Sequence, residues 1–377
     1  MSATNPEVPK FGLLYAILLP VLVVPVVVIM WLLVRGNAAE QYYQRALAEA
    51  AAGNYPAAMS DFREAGKRGH AEAYCNLGLM CLYGIGGKPA PEDGRGYLEL
   101  AAVGGNMRAE YELGSLAESD PGKPDYDQAV LHYNRAALAG HIPAMNALAH
   151  LYETGRGVHY SPLLAAEFYR KAAEAGSAEA QCALGELYVS NALGAPDLQR
   201  AFEYFSLAAA QGLPGGYGGL GYVYEHGWGD NHPDLAQARK FYRHAAELGD
   251  PAAMVNLGDL LAREGDDREA LKLYQDAANH DYAPAWHRLG LRHFAGNRDE
   301  KPDYAAARLC FLRAARRGNA ASWINLGIMY ELGRGGAPDD YRAEECYLQA
   351  KQMGHPEADK RLEALRAARL ERMKKRP

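Results

Sequence analysis

With 377 residues, 46 acidic against 40 basic side chains and a formal net charge of −6, the chain lacks the basic excess that a nucleic-acid binder uses to neutralise phosphates. A chain of this length normally divides into two or three globular domains, but its 40 glycines recur at a fixed period, which points to an array of repeats with no single core to outgrow. Its cysteines, Cys75, Cys81, Cys182, Cys310 and Cys346, are odd in number, make a poor disulfide framework and read as buried thiols.

In chain order, residues 1–10 form a short polar tail. Residues 11–34, FGLLYAILLPVLVVPVVVIMWLLV, carry no charge. At 1.5 Å per helical residue they span ~36 Å, enough to cross a ~30 Å hydrocarbon core with some tilt. A cleaved signal peptide would have a shorter apolar core behind a basic start, so a retained single-span transmembrane helix is expected. Pro20 and Pro25 are tolerated in such a helix, and Tyr15 and Trp31 suit its interfaces. Lys10 before the span and Arg35 and Arg45 after it balance too evenly to fix orientation.

From residue 71 to 355 one unit recurs eight times. Its first helix carries a Leu-Gly pair whose second member is Gly78, Gly114, Ala149, Gly185, Gly221, Gly258, Gly290 and Gly327, in steps of 36, 35, 36, 36, 37, 32 and 37 residues. Four residues before each Leu stands a small residue: Ala73, Ala109, Ala144, Ala180, Gly216, Ala253, Ala285 and Ser322. This spacing puts both on one helical face, where a neighbouring helix can approach closely. The second helix has an aromatic position, read as Tyr97, Tyr133, Tyr169, Phe205, Tyr242, Tyr274, Phe311 and Tyr347, then a pair of small residues and a terminal Gly. Gly accepts the left-handed cap conformation; in the short sixth unit Asp281 takes that place. Two helices cannot bury an apolar face alone, so the units must stack. The expected fold is all-α: a right-handed α-solenoid of antiparallel helix pairs behind the N-terminal transmembrane helix.

The stretches Ala178–Tyr188 (AEAQCALGELY), Gly155-Arg156-Gly157-Val158 and Phe168–Gly176 (FYRKAAEAG) resemble the Sel-one-like repeat family, a branch of the tetratricopeptide class. Gly333–Gly336 shows the glycine turn again, whereas units two and four carry degraded turns and unit six a short one. Residues 38–70 look like an ordinary tetratricopeptide unit and are expected to cap the array. Residues 356–377 form a last helix, apolar at Leu362, Leu365, Ala368 and Leu370 and basic at Arg366, Arg369, Arg372, Lys374, Lys375 and Arg376. It reads as a polar cap whose cations suit a helix C-terminus, with contact to anionic lipid or an acidic partner as the rival.

No catalytic motif emerges: there is no Walker A, G-x-S-x-G, H-E-x-x-H or C-x-x-C. The glycines are ascribed to turns and caps, and His70, His141 and His355 to a structural position after the terminal Gly. The polar run Glu225–Asp234 matches no standard metal spacing and reads as a solvated turn. Trp286 and Trp323 share a position with Met145 and Met254 and read as core. No cofactor, metal or small-molecule ligand is expected.

The resemblance implies that the first helices line the concave face and that ligands meet positions the core leaves free. Those positions are Asn76, Glu112, Asn256, Arg288 and Asn325, two before the register residue, and His150, Glu186, Tyr222 and Asp259, one after it. Their amides and charges suit an extended peptide or a helix. The leading expectation is a scaffold binding other proteins in a membrane complex. The resemblance implies a bacterial protein in polysaccharide export, secretion or signalling; with the apolar span, a single-pass inner-membrane protein is expected, its soluble part periplasmic or otherwise cytoplasmic. A cytoplasm-facing regulatory adaptor is the second reading and a cell-wall hydrolase a remote third.

Overall fold

The computed structural model describes residues 37–296 and 301–374. The expected membrane span, 11–34, lies outside the described residues, and among those described no helix is long and apolar enough to cross a membrane. The described residues form nineteen helices, and among them no strand beyond one isolated bridge between Trp228 and Asn231. By internal contacts the chain divides into two units, the first running to Ala172 and the second starting at Ala173.

In the first unit, helix α1 (37–51) and α2 (Tyr55–Lys67) form a hairpin joined by an ion pair from Arg45 to Asp61. Phe62 and Ala46 of this hairpin share a buried cluster with Leu77 of α3 (Ala71–Tyr83). The hairpins α3 with α4 (Pro91–Val103) and α5 (Met107–Glu118) with α6 (Tyr126–Leu138) follow. Then come α7 (Ile142–Thr154) and α8 (Pro162–Glu174).

The second unit is built from α9 (Ala178–Val189), α10 (Leu198–Ala210), α11 (Pro214–His226), α12 (Leu235–Glu247), α13 (Pro251–Glu264) and α14 (Asp267–Asn279). It continues with α15 (Ala283–Ala295), α16 (Tyr304–Arg316), α17 (Ala320–Glu331), α18 (Asp340–Gln352) and α19 (Ala358–Lys374). Besides its hairpin partner, α11 touches both α9 and α13, and α13 touches α15. First helices thus pack against first helices and form the inner layer of this unit.

The helix ends are fixed by side chains. Asn106, His141, Ser177, Asp250 and Asn319 each accept a hydrogen bond from a backbone N–H in the first turn of the helix they precede. His70 does the same for Ala73 through Nδ1. His70 and His141 are therefore N-caps, interchangeable there with Asn, Ser and Asp because each offers an acceptor at that reach, whereas His355 accepts from the Glu357 N–H ahead of α19. At the other end Gly140, Gly176, Gly212, Gly249, Gly318 and Gly354 have positive φ, and Asp281 is the one positive-φ non-glycine residue among those described, at 60°.

Packing repeats with the sequence. The small position is fully buried at Ala73, Ala109, Ala144, Ala180, Ala253, Ala285 and Ser322. The register glycine seats the ring of the second helix: a methyl added at Gly185 would lie 2.5 Å from Phe205, at Gly221 2.5 Å from Tyr242, and at Gly258 2.6 Å from Tyr274. In the first repeat the ring assignment shifts by one residue. Leu98, not Tyr97, sits over Gly78 and is fully buried, while Tyr97 lies to the side, 5.9 Å from the Tyr74 ring. Counting back three residues from the alanine pair would have found Leu98; the expectation of an aromatic residue misplaced it.

Where the ring is a tyrosine, its hydroxyl donates to a carboxylate of the paired first helix: Tyr133 to Glu118 at 2.9 Å, Tyr169 to Glu153 at 3.1 Å, Tyr242 to Glu225 at 2.8 Å and Tyr347 to Glu331 at 2.8 Å. In the short sixth repeat Tyr274 turns to Asp259, at 2.7 Å. Where the ring is Phe205 or Phe311, the position four after the register glycine is Val189 or Phe294. All five cysteines are buried free thiols.

Candidate functional site

Helix α11 reads PGGYGGLGYVYEH, with glycines at 215, 216, 218, 219 and 221. Only Gly216 and Gly221 occupy repeat positions. Gly219 is also sterically required, because a methyl there would enter the Phe205 ring. Gly218 faces little: its nearest neighbours would be a carboxylate oxygen of Asp250 at 3.0 Å and the Ala253 methyl at 3.7 Å. Each glycine in a helix interior costs about 1 kcal/mol relative to alanine. The return here is a bare helix face on the inner layer.

That face is the floor of a groove of about 500 Å³ running across α9, α11 and α13. Phe205, Val189 and Leu248 supply apolar surface, and Tyr222, Asn256, Glu186 and Asp250 supply polar groups. A second hollow of about 580 Å³ adjoins it, sharing Tyr222 and Asn256 and adding Glu225, Asp259 and Arg263. Tyr222 is held by His226, whose ring stacks on it at 4.0 Å while Nδ1 lies 2.9 Å from the Tyr222 carbonyl.

Two carboxylates, Glu186 and Asp250, stand in the groove wall. Burial, then the charge of Glu186, pushes the Cys182 thiol up to about 12. Burial, then the charges of Asp250 and Glu186, raises the Tyr282 phenol. Two residues distant along the chain thus feel the same carboxylate, Glu186. Asp250 also caps α13 through the amides of Ala252 and Ala253, which fixes it in place.

The structure brings four of the expected partner-binding residues together: Glu186, Tyr222 and Asn256 in the main groove, and Asp259 beside Tyr222 and Asn256 in the second. Arg288 binds Asp259 in a fork, Nε to Oδ1 at 2.7 Å and Nη2 to Oδ2 at 2.6 Å, while Tyr274 also donates to that carboxylate. Arg288 and Asp259 therefore brace α15 on α13. Asn325 is half-buried on α17. In the first unit Asn76 reaches the Tyr43 hydroxyl at 3.4 Å. Glu112 is half-buried, its carboxyl raised by desolvation, and His150 is exposed beside Glu153 at 3.8 Å.

The Glu225–Asp234 turn is occupied by its own contacts. Glu225 accepts from Tyr242 and pairs with Arg263, Trp228 stacks on Phe202 at 4.7 Å, and Asp234 caps α12. Among the described residues no cluster of His, Cys, Asp and Glu is placed to hold a metal ion. Trp286 packs on the core cluster of α11–α15 with Arg313 stacked 4.5 Å over its ring. On α19, Arg366 and Arg369 pair with Glu344 and Arg372 with Asp340, so these arginines are directed at α18.

The residues that sequence reasoning missed are Gly215, Gly218 and Asp250. The signal was present: these two glycines fall off the repeat positions and inside a helix, where neither a turn nor a cap explains them.

Stacked helical hairpins with a groove on their inner layer, and ion pairs spent on bracing neighbours, define the helical-repeat class of binding solenoids. The chain belongs to the Sel1 repeat family: the family model matches eight consecutive copies, at residues 71–106, 108–141, 142–177, 178–213, 217–250, 251–282, 283–319 and 324–355. Among curated proteins it is similar to the chitin synthase regulator SKT5 of Saccharomyces cerevisiae, 34% identical over 214 residues, covering 53% of this chain and 30% of that protein. It is also similar to an exopolysaccharide production negative regulator of Rhizobium leguminosarum bv. viciae, 30% identical over 161 residues, covering 39% of this chain and 60% of that protein. The chain thus spans less than two thirds of each of these relatives. A crystal structure of a Sel1 repeat protein from Oxalobacter formigenes superposes with a TM-score of 0.51 at 27% identity, covering 81% of this chain and 90% of that one.

Proposed function

We propose that this chain is a membrane-tethered adaptor that captures a segment of another protein in the groove across α9, α11 and α13. The observation that carries the reading is the bare face of α11. Gly218, whose nearest neighbour would be the movable carboxylate of Asp250, is a costly residue in a helix that packing does not demand, and it lies in the floor of a groove lined by aromatic, amide and carboxylate groups. The regulatory names of two relatives favour an adaptor in polysaccharide production. The apolar stretch 11–34 supplies the anchor, at a bacterial inner membrane with the repeats on the periplasmic side. Fusions to the C-terminus separate the two sides: alkaline phosphatase activity fits the periplasm, and a green fluorescent signal fits the cytoplasm.

The test of capture is a photo-crosslinking residue placed at Asn256 of the full-length chain in native membranes, followed by mass spectrometry. One dominant crosslinked protein is expected, and Gly218→Met, which fills the groove with a flexible side chain, should remove it. Crosslinking that is unaltered by Gly218→Met would overturn the groove assignment. Arg288 is a poor probe, because its removal strips Asp259 of its guanidinium partner.

A further inference from the structure

Resting on the membrane tether in that reading, we infer that one edge of the first unit lies on the lipid surface, with Val103 and Leu138 entering the headgroup layer. The edge is built from the starts of the first helices and the ends of the second. Glu40, in the first turn of α1, meets the His70 N-cap of α3 at 3.1 Å. Glu72 of α3 meets Arg108 of α5 at 3.6 Å, and the Tyr111 ring of α5 lies 5.1 Å from His141, the N-cap of α7. The starts of α1, α3, α5 and α7 therefore follow one another along one side. The second helices end on that side too. A methyl added at Gly104, just after α4, would stand 2.7 Å from the Ala71 side chain, and Arg135 in the last turn of α6 pairs with Glu110 in the first turn of α5 at 3.6 Å.

Val103 is the last residue of α4 and Leu138 the last of α6; they are 89% and 79% exposed. Each stands five residues after the side chain seated on the register glycine, Leu98 or Tyr133. At that position the later repeats carry Glu174, Ala210, Glu247, Asn279, Arg316 and Gln352. Large apolar residues are thus confined there to the first two repeats. Met107, which opens α5, and Leu100, one turn before Val103, extend the exposed apolar surface. A single exposed leucine is ordinary, but a group gathered on one edge marks a contact surface.

The course of the chain names the occupant. The uncharged stretch 11–34 ends just before this edge, with Arg35 and Gly36 separating it from Asn37, where α1 begins. Those three steps reach at most ~11 Å. The headgroup layer is about 5–8 Å thick on each side of the hydrocarbon core. The start of α1 is therefore held at the lipid surface, and the edge runs on from it at helix-packing intervals of about 8–10 Å. Lys67, which ends α2 on this edge, has a long stem that keeps its ammonium in the polar layer while its neighbours go deeper. Lipid is always present beside a tethered edge, whereas a second copy of the chain has to be met by diffusion.

The experiment places a photo-crosslinking residue at Val103, Leu138 or Tyr83 of the full-length chain in phosphatidylcholine vesicles and identifies the adducts by mass spectrometry. Tyr83 ends α3, on the opposite side of the hairpins, and is 68% exposed, so it controls for exposure alone. Positions 103 and 138 are expected to give at least tenfold more lipid adduct than position 83. Leu138→Glu should lower the lipid adduct from position 103 severalfold, with the helical circular dichroism unchanged. Crosslinks between two copies in place of lipid adducts would overturn the inference, and so would equal lipid labelling at the three positions. Carbonate extraction of the vesicles separates this inference from the tether. A chain that resists extraction yet shows no lipid preference at 103 and 138 leaves the tether standing and sinks the inference. A chain that carbonate releases has no tether, and the inference falls with it.

Discussion

Tyr347 is fully buried against Gly327, and its hydroxyl reaches the Glu331 carboxylate at 2.8 Å. Burial, then Glu331, raises the phenol, so the proton stays on the tyrosine and is donated. A hydrogen bond to a charged acceptor contributes about 1–3 kcal/mol, and the half-exposed carboxylate places this one near the lower end. The chain itself supplies the comparison: Phe205 goes with Val189 and Phe311 with Phe294, so where the hydroxyl is missing the acid is missing too. Tyr347→Phe should therefore lower stability by about 1 kcal/mol. Adding Glu331→Val should cost nothing further, because the acid then has no donor to lose. Urea unfolding of the two single variants and the double variant measures the coupling. Strict additivity would show that ring packing on Gly327, not the hydroxyl, sets the position.

At the scale of the helix, α11 separates two uses of glycine. Gly221 is needed by packing, since a methyl there would stand 2.5 Å from the Tyr242 ring. Gly221→Ala should destabilise by about 1–3 kcal/mol through overpacking. Gly218→Ala should do the reverse, gaining up to about 1 kcal/mol from helix propensity, since the one close neighbour is the movable end of Asp250. Thermal unfolding of both variants checks the opposite signs; a loss in Gly218→Ala would mean that the open face is demanded by the fold. The same helix shows what the sequence disclosed. The Leu-Gly register, the buried small position and the left-handed caps were legible, because each recurs at a fixed step and has one physical cause. The ring over Gly78 was misplaced by one residue because leucine substitutes for tyrosine there. The Arg288–Asp259 fork was not legible either. Those residues are 29 apart, and only the stacking of α15 on α13 brings them together. Of the site, Glu186, Tyr222, Asn256 and Asp259 followed from repeat positions, whereas Asp250 lies between helices, where its capping role conceals its second place in the groove wall.

At the scale of the whole molecule, the described hairpins of the second unit pack chiefly on adjacent hairpins, so that unit's stability should be a sum of local terms. The second unit ends with α19, whose Leu362 and Leu365 are buried with Tyr347, Ala350 and Ile324 and whose arginines pair with acids of α18. Ending the chain after Gly354 removes that cover and exposes the outer faces of α17 and α18. Burying a leucine contributes about 2 kcal/mol, and a terminal hairpin has little reserve to offset the loss of two. Hydrogen exchange of the truncated chain should show α17 and α18 exchanging at least tenfold faster, with α9 to α13 as protected as before. Crosslinking from Asn256 in the groove should survive, because its walls lie two hairpins away. Loss of protection throughout the unit would mean that it unfolds as one body. The groove would then be coupled to its far end, and any partner bound on α19 would control what the groove holds.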